Sequence, residues 1–135
     1  MGLIIDSSVF IAMGRLGRPV TGLIETFSDE LIMISSITAS ELLVGVHRAD
    51  TPQRRRLRAN LVEEILTLFG ALPFDLATAR EHARIAADLS SRGQRIHAHD
   101  LIIAATAMVN GHDVLTDNLR DFGRVPNLVV RKPDW

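Results

Sequence analysis

Short apolar runs alternate along this chain with longer stretches in which apolar residues recur every three or four positions. Leu3, Ile4 and Ile5 form a continuous apolar run closed by Asp6, Ser7 and Ser8, the pattern of a strand buried on both faces. A second run, Leu31 to Ile34 in LIMI, is closed by Ser35 and Ser36, and further runs stand at 71–74, 113–116 and 128–130. Between them the period predicts helices over 20–29, behind Pro19, and over 38–48, after a capping signal. A third starts at Pro52 with Leu57, Leu61, Ile65 and Leu68 on one face. A fourth, 75–91, carries Leu76, Ala79, Ala83, Ala86 and Leu89 on one stripe and stops before Gly93. The last, 97–110, reads LIIAATAMV after Asp100 and is apolar on most sides. Strands separated by helices predict a parallel sheet of four or five strands covered on both faces. Residues 1–135, without internal repeat or low-complexity linker, suit a single domain with one core.

That architecture changes the meaning of four acidic positions. Each has a local reading. Asp6 caps a helix, Thr38-x-x-Glu41 matches a capping box, and Asp100 complements a helix dipole. Asp117 and Asp121 are turn residues. Connectivity adds a shared reading, because ligands of a parallel α/β sheet bind beyond the carboxyl ends of its strands. Asp6 ends the first strand, and Glu41 lies in the helix directly after the second. The helix that delivers the chain into the fourth strand must begin, with Asp100, at the carboxyl edge, and Asp117 directly follows that strand. Four carboxylates distant in sequence therefore converge on one rim.

Composition narrows what that rim holds. With no cysteine in the chain, any metal is held by oxygen or imidazole. Clustered carboxylates repel one another unless a cation neutralises them, and oxygen ligands favour Mg²⁺ or Mn²⁺. Such an ion orients a phosphate and activates water, so phosphodiester hydrolysis is the expected reaction class. The apolar fraction of 47% and charged fraction of 23% are those of an ordinary globular protein. No apolar run reaches the roughly 20 residues that span a bilayer, and MGLIIDSS lacks the marks of a signal peptide, so the expected location is the cytoplasm. The net charge is only −1, yet 14 of the 15 basic residues are Arg, the cation suited to bidentate phosphate contact.

Four segments, LIIDSSVFIA (3–12), SSITASELLVGV (35–46), HDLIIAATAMVNG (99–111) and VLTDNLRDFGRVPNL (114–128), resemble the PIN-domain nucleases, and more narrowly the VapC-type toxins of bacterial toxin–antitoxin pairs. The resemblance runs nearly end to end. It implies a PIN-like three-layer α/β/α sandwich, Mg²⁺-dependent cleavage of RNA, neutralisation by a cognate antitoxin, and a homodimer. It maps the acidic constellation onto Asp6, Glu41 and Asp100, with Ser8 and Thr116 as supporting hydroxyls. The family position two residues after the Thr carries Asp or Asn and here is Asn118. Asp117 beside it is the favoured fourth acid, with Asp121, one turn further on, as the alternative. In the mechanism expected from this assignment, Asp6, Asp100 and Asp117 hold the metal and Glu41 orients or deprotonates water.

Other features fit around that picture. Arg92 and Arg95, just before Asp100, are candidates for RNA contact. The patch of Arg48, Arg54, Arg55, Arg56 and Arg58 reads as a solvated helix face or a phosphate contact. His97 and His99 suit helix-start or rim roles, since Mg²⁺ prefers oxygen. Five Phe, one Trp and no Tyr argue against base-stacking platforms. Leu42, Leu43 and Val46 read as core, and the resemblance adds an antitoxin segment docking nearby as a helix in a groove. Two other readings remain: a different metal-dependent phosphoryl hydrolase, and a non-catalytic PIN-like module that binds RNA or protein. Asp6-Ser7-Ser8 lacks the D-x-D of an aspartyl phosphatase.

Overall fold

A computed structural model describes residues 2–135 and places β1 (Gly2–Ile5) at the centre of an all-parallel sheet. On one side of it lie β2 (Leu31–Ser35) and the edge strand β3 (Gly70–Leu72). On the other lie β4 (His112–Leu115) and the edge strand β5 (Val130–Arg131), so the order is β3-β2-β1-β4-β5. Leu3, Ile4 and Ile5 are each fully buried because both faces of β1 are covered. Leu3 and Ile5 enter one core and Ile4 the other. Burial of each such side chain stabilises the fold by about 1.5–3 kcal/mol.

The first core packs α1 (Ser7–Leu16), α2 (Gly22–Thr26) and α4 (Pro52–Leu68) against the sheet through Phe10, Leu23, Ile65 and Phe69. The second packs α5 (Leu76–Ser91), α6 (Ala98–Asn110) and α7 (Leu119–Phe122) through Ile85, Leu89, Ile103 and Phe122. Between them, α3 (Ser36–His47) gives Ala39 and Leu42 to the first core and Ile37 to the second. The three-layer α/β/α sandwich expected from the sequence is the observed architecture.

Two glycines set the geometry that matters for the rim. Gly2 pairs with His112, and a Cβ on it would lie 2.2 Å from the imidazole, so β1 begins with the one residue that admits that ring. Gly111, at φ 66°, ends α6 in the left-handed region and turns the chain straight into β4. Because β4 starts there, the beginning of α6 lies at the carboxyl edge.

Several expected elements shift. The helix expected over 20–29 shrinks to Gly22–Thr26, because Phe27 leaves the helical region at ψ 46°. The third strand ends at Leu72, before Pro73, which lacks the N–H a ladder needs. On α4 the buried residues are Val62 and Ile65, whereas Leu57, Leu61 and Leu68 of the expected stripe are exposed. On α5 the stripe is rotated to Thr78, Ile85 and Leu89, and Leu76 is 68% exposed. In both helices the larger or β-branched residue takes the contact with the neighbouring element, a choice made by packing rather than by period.

Candidate active site

Asp6 is the first residue past β1, and its backbone N–H continues the ladder to the Leu115 carbonyl at 3.0 Å. It occupies the N-cap position of α1, but its side chain makes no capping bond, which corrects the local reading of this residue. Its Oδ2 instead accepts hydrogen bonds from Ser8 Oγ at 2.7 Å and Thr116 Oγ1 at 2.8 Å. Those two hydroxyls in turn accept the backbone N–H groups of Asp117, at 3.1 Å, and Asn118, at 2.9 Å. The turn after β4 is thus tied to the end of β1 through a carboxylate that is only 4% exposed.

Asp100 stands in the first turn of α6, where its Oδ2 accepts a hydrogen bond from Asn118 Nδ2 at 2.9 Å. Burial, first, and the charge of Asp6, second, push its carboxyl up to about 6. Asp121 adds to the rise, while His97 and the Asn118 amide oppose it. The same Asn118 amide reaches Asp121 Oδ2 at 3.4 Å, so one side chain bridges two acids. Asp121 also lies 3.9 Å from Arg124. Asp117 is exposed, and its backbone N–H is what joins it to the network.

Glu41 lies in the second turn of α3. The capping box with Thr38 does not form: α3 begins two residues earlier, and Ser35 is its N-cap, accepting from the Ile37 N–H at 3.3 Å. Glu41 is therefore free to face the rim. Its Oε2 lies 3.4 Å from His99 Nδ1, and its buried Oε1 has no hydrogen-bond partner. His97 caps α6 by accepting the His99 N–H at 3.2 Å on Nδ1, so both imidazoles serve the helix start and the rim as expected. The His99–Glu41 contact escaped the sequence reading; its only trace there is that His99 adjoins Asp100.

Among the described residues no three His, Asp or Glu side chains stand close enough to enclose one ion by themselves. The donor set nonetheless fits a hard cation that keeps its own waters. Mg²⁺ is commonly held by one or two carboxylates together with substrate phosphate oxygens. Burial and the charge of Asp6 both raise the Asp100 carboxyl, and Glu41 Oε1, joined to this helix start through His99, is an orphaned acceptor.

The expected cationic contacts divide. Arg92 is held by Asp88 Oδ2 at 2.7 Å and donates to the Arg124 carbonyl at 3.1 Å. Arg95 is exposed with no side-chain partner among the described residues. Arg54 pairs with Asp50 at 2.8 Å, and Arg58 donates to the Gly45 carbonyl at 2.9 Å, so much of that patch braces the α3–α4 connection. A shallow groove runs from Glu41 between α1, α3 and α4, lined by Phe10, Ile11, Leu42, Leu61 and Ile65. No helix among the described residues is long and apolar enough to cross a membrane.

A family model described as PIN domain matches residues 3–128. The chain is 38% identical over 130 residues to Ribonuclease VapC1 of Rickettsia felis, covering 96% of this chain and 95% of the relative. It is 34% identical over 102 residues to the tRNA(fMet)-specific endonuclease VapC of Salmonella typhimurium, covering 76% of this chain and 74% of that one. Among solved structures, DNA-bound VapBC from Salmonella typhimurium superposes with a TM-score of 0.85 at 26% identity, over 98% of both chains. VapBC-5 from Mycobacterium tuberculosis gives 0.74 at 30% identity, again over 98% of both.

Proposed function

The chain belongs to the PIN-domain family, and on that premise we propose that it is a Mg²⁺-dependent endoribonuclease, the toxin of a toxin–antitoxin pair. The observation that carries this reading is Asp100, whose carboxyl is held at about 6 by burial and by Asp6 and Asp121 around it. A buried carboxyl raised in this way, with two further carboxylates acting on it, is the environment that a bound cation would relieve. The residues that would hold the ion are Asp6 and Asp100, with Asp121 acting on it through water rather than as a third direct ligand. Asp121 takes the place first given to Asp117, because it shares Asn118 with Asp100 and acts on its charge. Mn²⁺ suits the same oxygen ligands. When bound, the ion supplies positive charge that orients a phosphate and offsets the charge building in an in-line displacement.

The chain's own residues do the rest. Ser8 and Thr116 hold Asp6 Oδ2 and leave Oδ1 without a protein partner among the described residues. Asn118 fixes Asp100 in the same way through its Oδ2. Glu41 Oε1 has no partner of its own and accepts a hydrogen bond from the attacking water, then its proton, while His99 holds Oε2. Arg95 meets the RNA backbone, and Arg92 holds the loop that presents it.

The groove beside Glu41 suits an apolar antitoxin helix, which would deny RNA the same rim. The working unit is a homodimer in the cytoplasm. The test is incubation of purified protein with single-stranded RNA, structured RNA and DNA, with and without Mg²⁺. Mg²⁺-dependent cleavage of RNA is expected, with DNA left intact. Binding of RNA without cleavage in any metal would instead make the chain a non-catalytic module.

A further inference from the structure

Just ahead of Asp100 the chain encloses a second concavity, of about 400 Å³, between the end of α5 and the start of α6. Ala86, Leu89, Ile96 and Leu101 give it apolar walls, and Gln94 and Arg95 line it from the connecting loop. Its position follows from the site. Leu101 is the residue after Asp100, and Arg124, just past the helix that carries Asp121, donates to the Arg95 carbonyl at 2.5 Å. The cavity and the acidic rim therefore share the start of α6, and the Arg124–Arg95 bond ties the loop of the one to the segment after α7 of the other.

Three features define what it accepts. Aliphatic walls desolvate a flat ring without needing an aromatic partner, which agrees with a chain that has no Tyr and one Trp. Gln94 Oε1 is buried with no hydrogen-bond partner, so a donor entering the cavity would relieve an unmet acceptor. Arg95 is exposed and unpaired among the described residues, unlike Arg92 on the same loop. An apolar slot, one acceptor and a free guanidinium complement the base, exocyclic amine and phosphate of a nucleotide.

We propose that this cavity receives a base of the substrate RNA beside the bond that is cut, with Gln94 selecting a base that bears an exocyclic amino group and Arg95 holding the adjoining phosphate. Adenine, cytosine and guanine carry that amino group, whereas uracil offers only its ring N3–H, which lies closer to the ring and does not reach the same oxygen in the same pose. The proposal rests on the ribonuclease reading, and its test separates the two.

Cleavage of a single-stranded RNA library, with the cut ends sequenced, should show uracil disfavoured by about tenfold at one position beside the cut. Gln94→Leu should reduce that ratio to about twofold or less, whatever its overall rate. Arg95→Ala should lower kcat/KM alike for all four bases. A second measurement does not depend on cleavage or on a variant that folds. In wild-type protein the Gln94 side-chain amide resonances should shift on addition of CMP or AMP and not of ribose 5-phosphate. A base ratio unchanged in Gln94→Leu, or absent in wild type, overturns the subsite and leaves the ribonuclease reading standing. No RNA cleavage by wild type defeats the ribonuclease reading, and the nucleotide titration then decides the cavity alone, with unmoved Gln94 resonances overturning it.

Discussion

Two groups of acidic side chains flank this sheet, and they are resolved in opposite ways. Toward the amino ends of the strands, Glu30 and Asp113 face Arg131, which lies 2.6 Å from the first and 3.7 Å from the second and packs over the Phe27 ring. The guanidinium is held more firmly protonated by its bond to Glu30, and the chain itself supplies the cation that offsets the charges there. At the carboxyl edge Asp121 lies 3.9 Å from Arg124, but the buried pair Asp6 and Asp100 has no arginine or lysine bonded to it among the described residues. The groups bonded to Asp6 and Asp100 are hydroxyls and the Asn118 amide, which orient carboxylates without neutralising them. The first group holds the fold together, whereas the second keeps a repulsion that a ligand from outside would relieve. Acidity alone therefore does not mark a site; what separates the two groups is whether the chain supplies the counter-charge.

The comparison breaks most visibly in activity. Asp6→Asn and Asp100→Asn should each lower Mg²⁺-dependent RNA cleavage by about a thousandfold or more while circular dichroism stays unchanged. Undiminished cleavage by both variants would remove the rim from the chemistry. The fourth acid comes next. Asp121→Asn should reduce cleavage by about 10- to 100-fold, and Asp117→Asn, at an exposed carboxylate, should stay within about threefold of wild type. The reverse order would restore Asp117 to the site.

On the balanced side, Arg131→Met should leave Glu30 and Asp113 without their cation and destabilise the fold by about 2 kcal/mol in chemical denaturation, with or without Mg²⁺. The smallest expected effect has the opposite sign. The Asp100 carboxyl moves from an ordinary value of 3.8 to about 6 on folding, so between these values the folded state binds more protons than the unfolded chain. Metal-free stability should accordingly fall as pH rises across that window, with the whole loss present above it. Asp100→Asn should flatten this profile and stabilise the metal-free protein at neutral pH by about 1 kcal/mol, allowing for partial exposure. Mg²⁺ should raise the melting temperature of wild type at neutral pH and not that of Asp100→Asn.

Much of this is legible in the sequence. LII at 3–5 has the pattern of a strand covered on both sides, and its abrupt end at Asp6 places that acid at the sheet edge. The chain order of strands and helices carried Glu41 and Asp100 to the same edge. Less legible was the face each helix turns inward. Leu57 and Leu61 recur at helical spacing but are exposed, Leu61 beside the groove, because α4 packs through Val62 and Ile65. Thr38 and Glu41 have the spacing of a capping box, but Ser35 starts the helix first, and that one displacement frees Glu41 for the rim.

The opening feature of the chain shows where the division falls. Hydrophobic periodicity and connectivity are properties of the sequence itself, and they determined the parallel sheet, its helical cover and the convergence of Asp6, Glu41 and Asp100 on one edge. Which further acid shares a partner with Asp100 depended on where Asn118 sends its amide, and it reaches Asp121. Whether Arg92 or Arg95 stays free depended on Asp88 and on the Arg124 carbonyl, 32 residues away from Arg92. Those choices belong to the tertiary structure because a hydrogen bond depends on distances of a few tenths of an ångström between groups far apart in the chain, and periodicity carries no information at that scale.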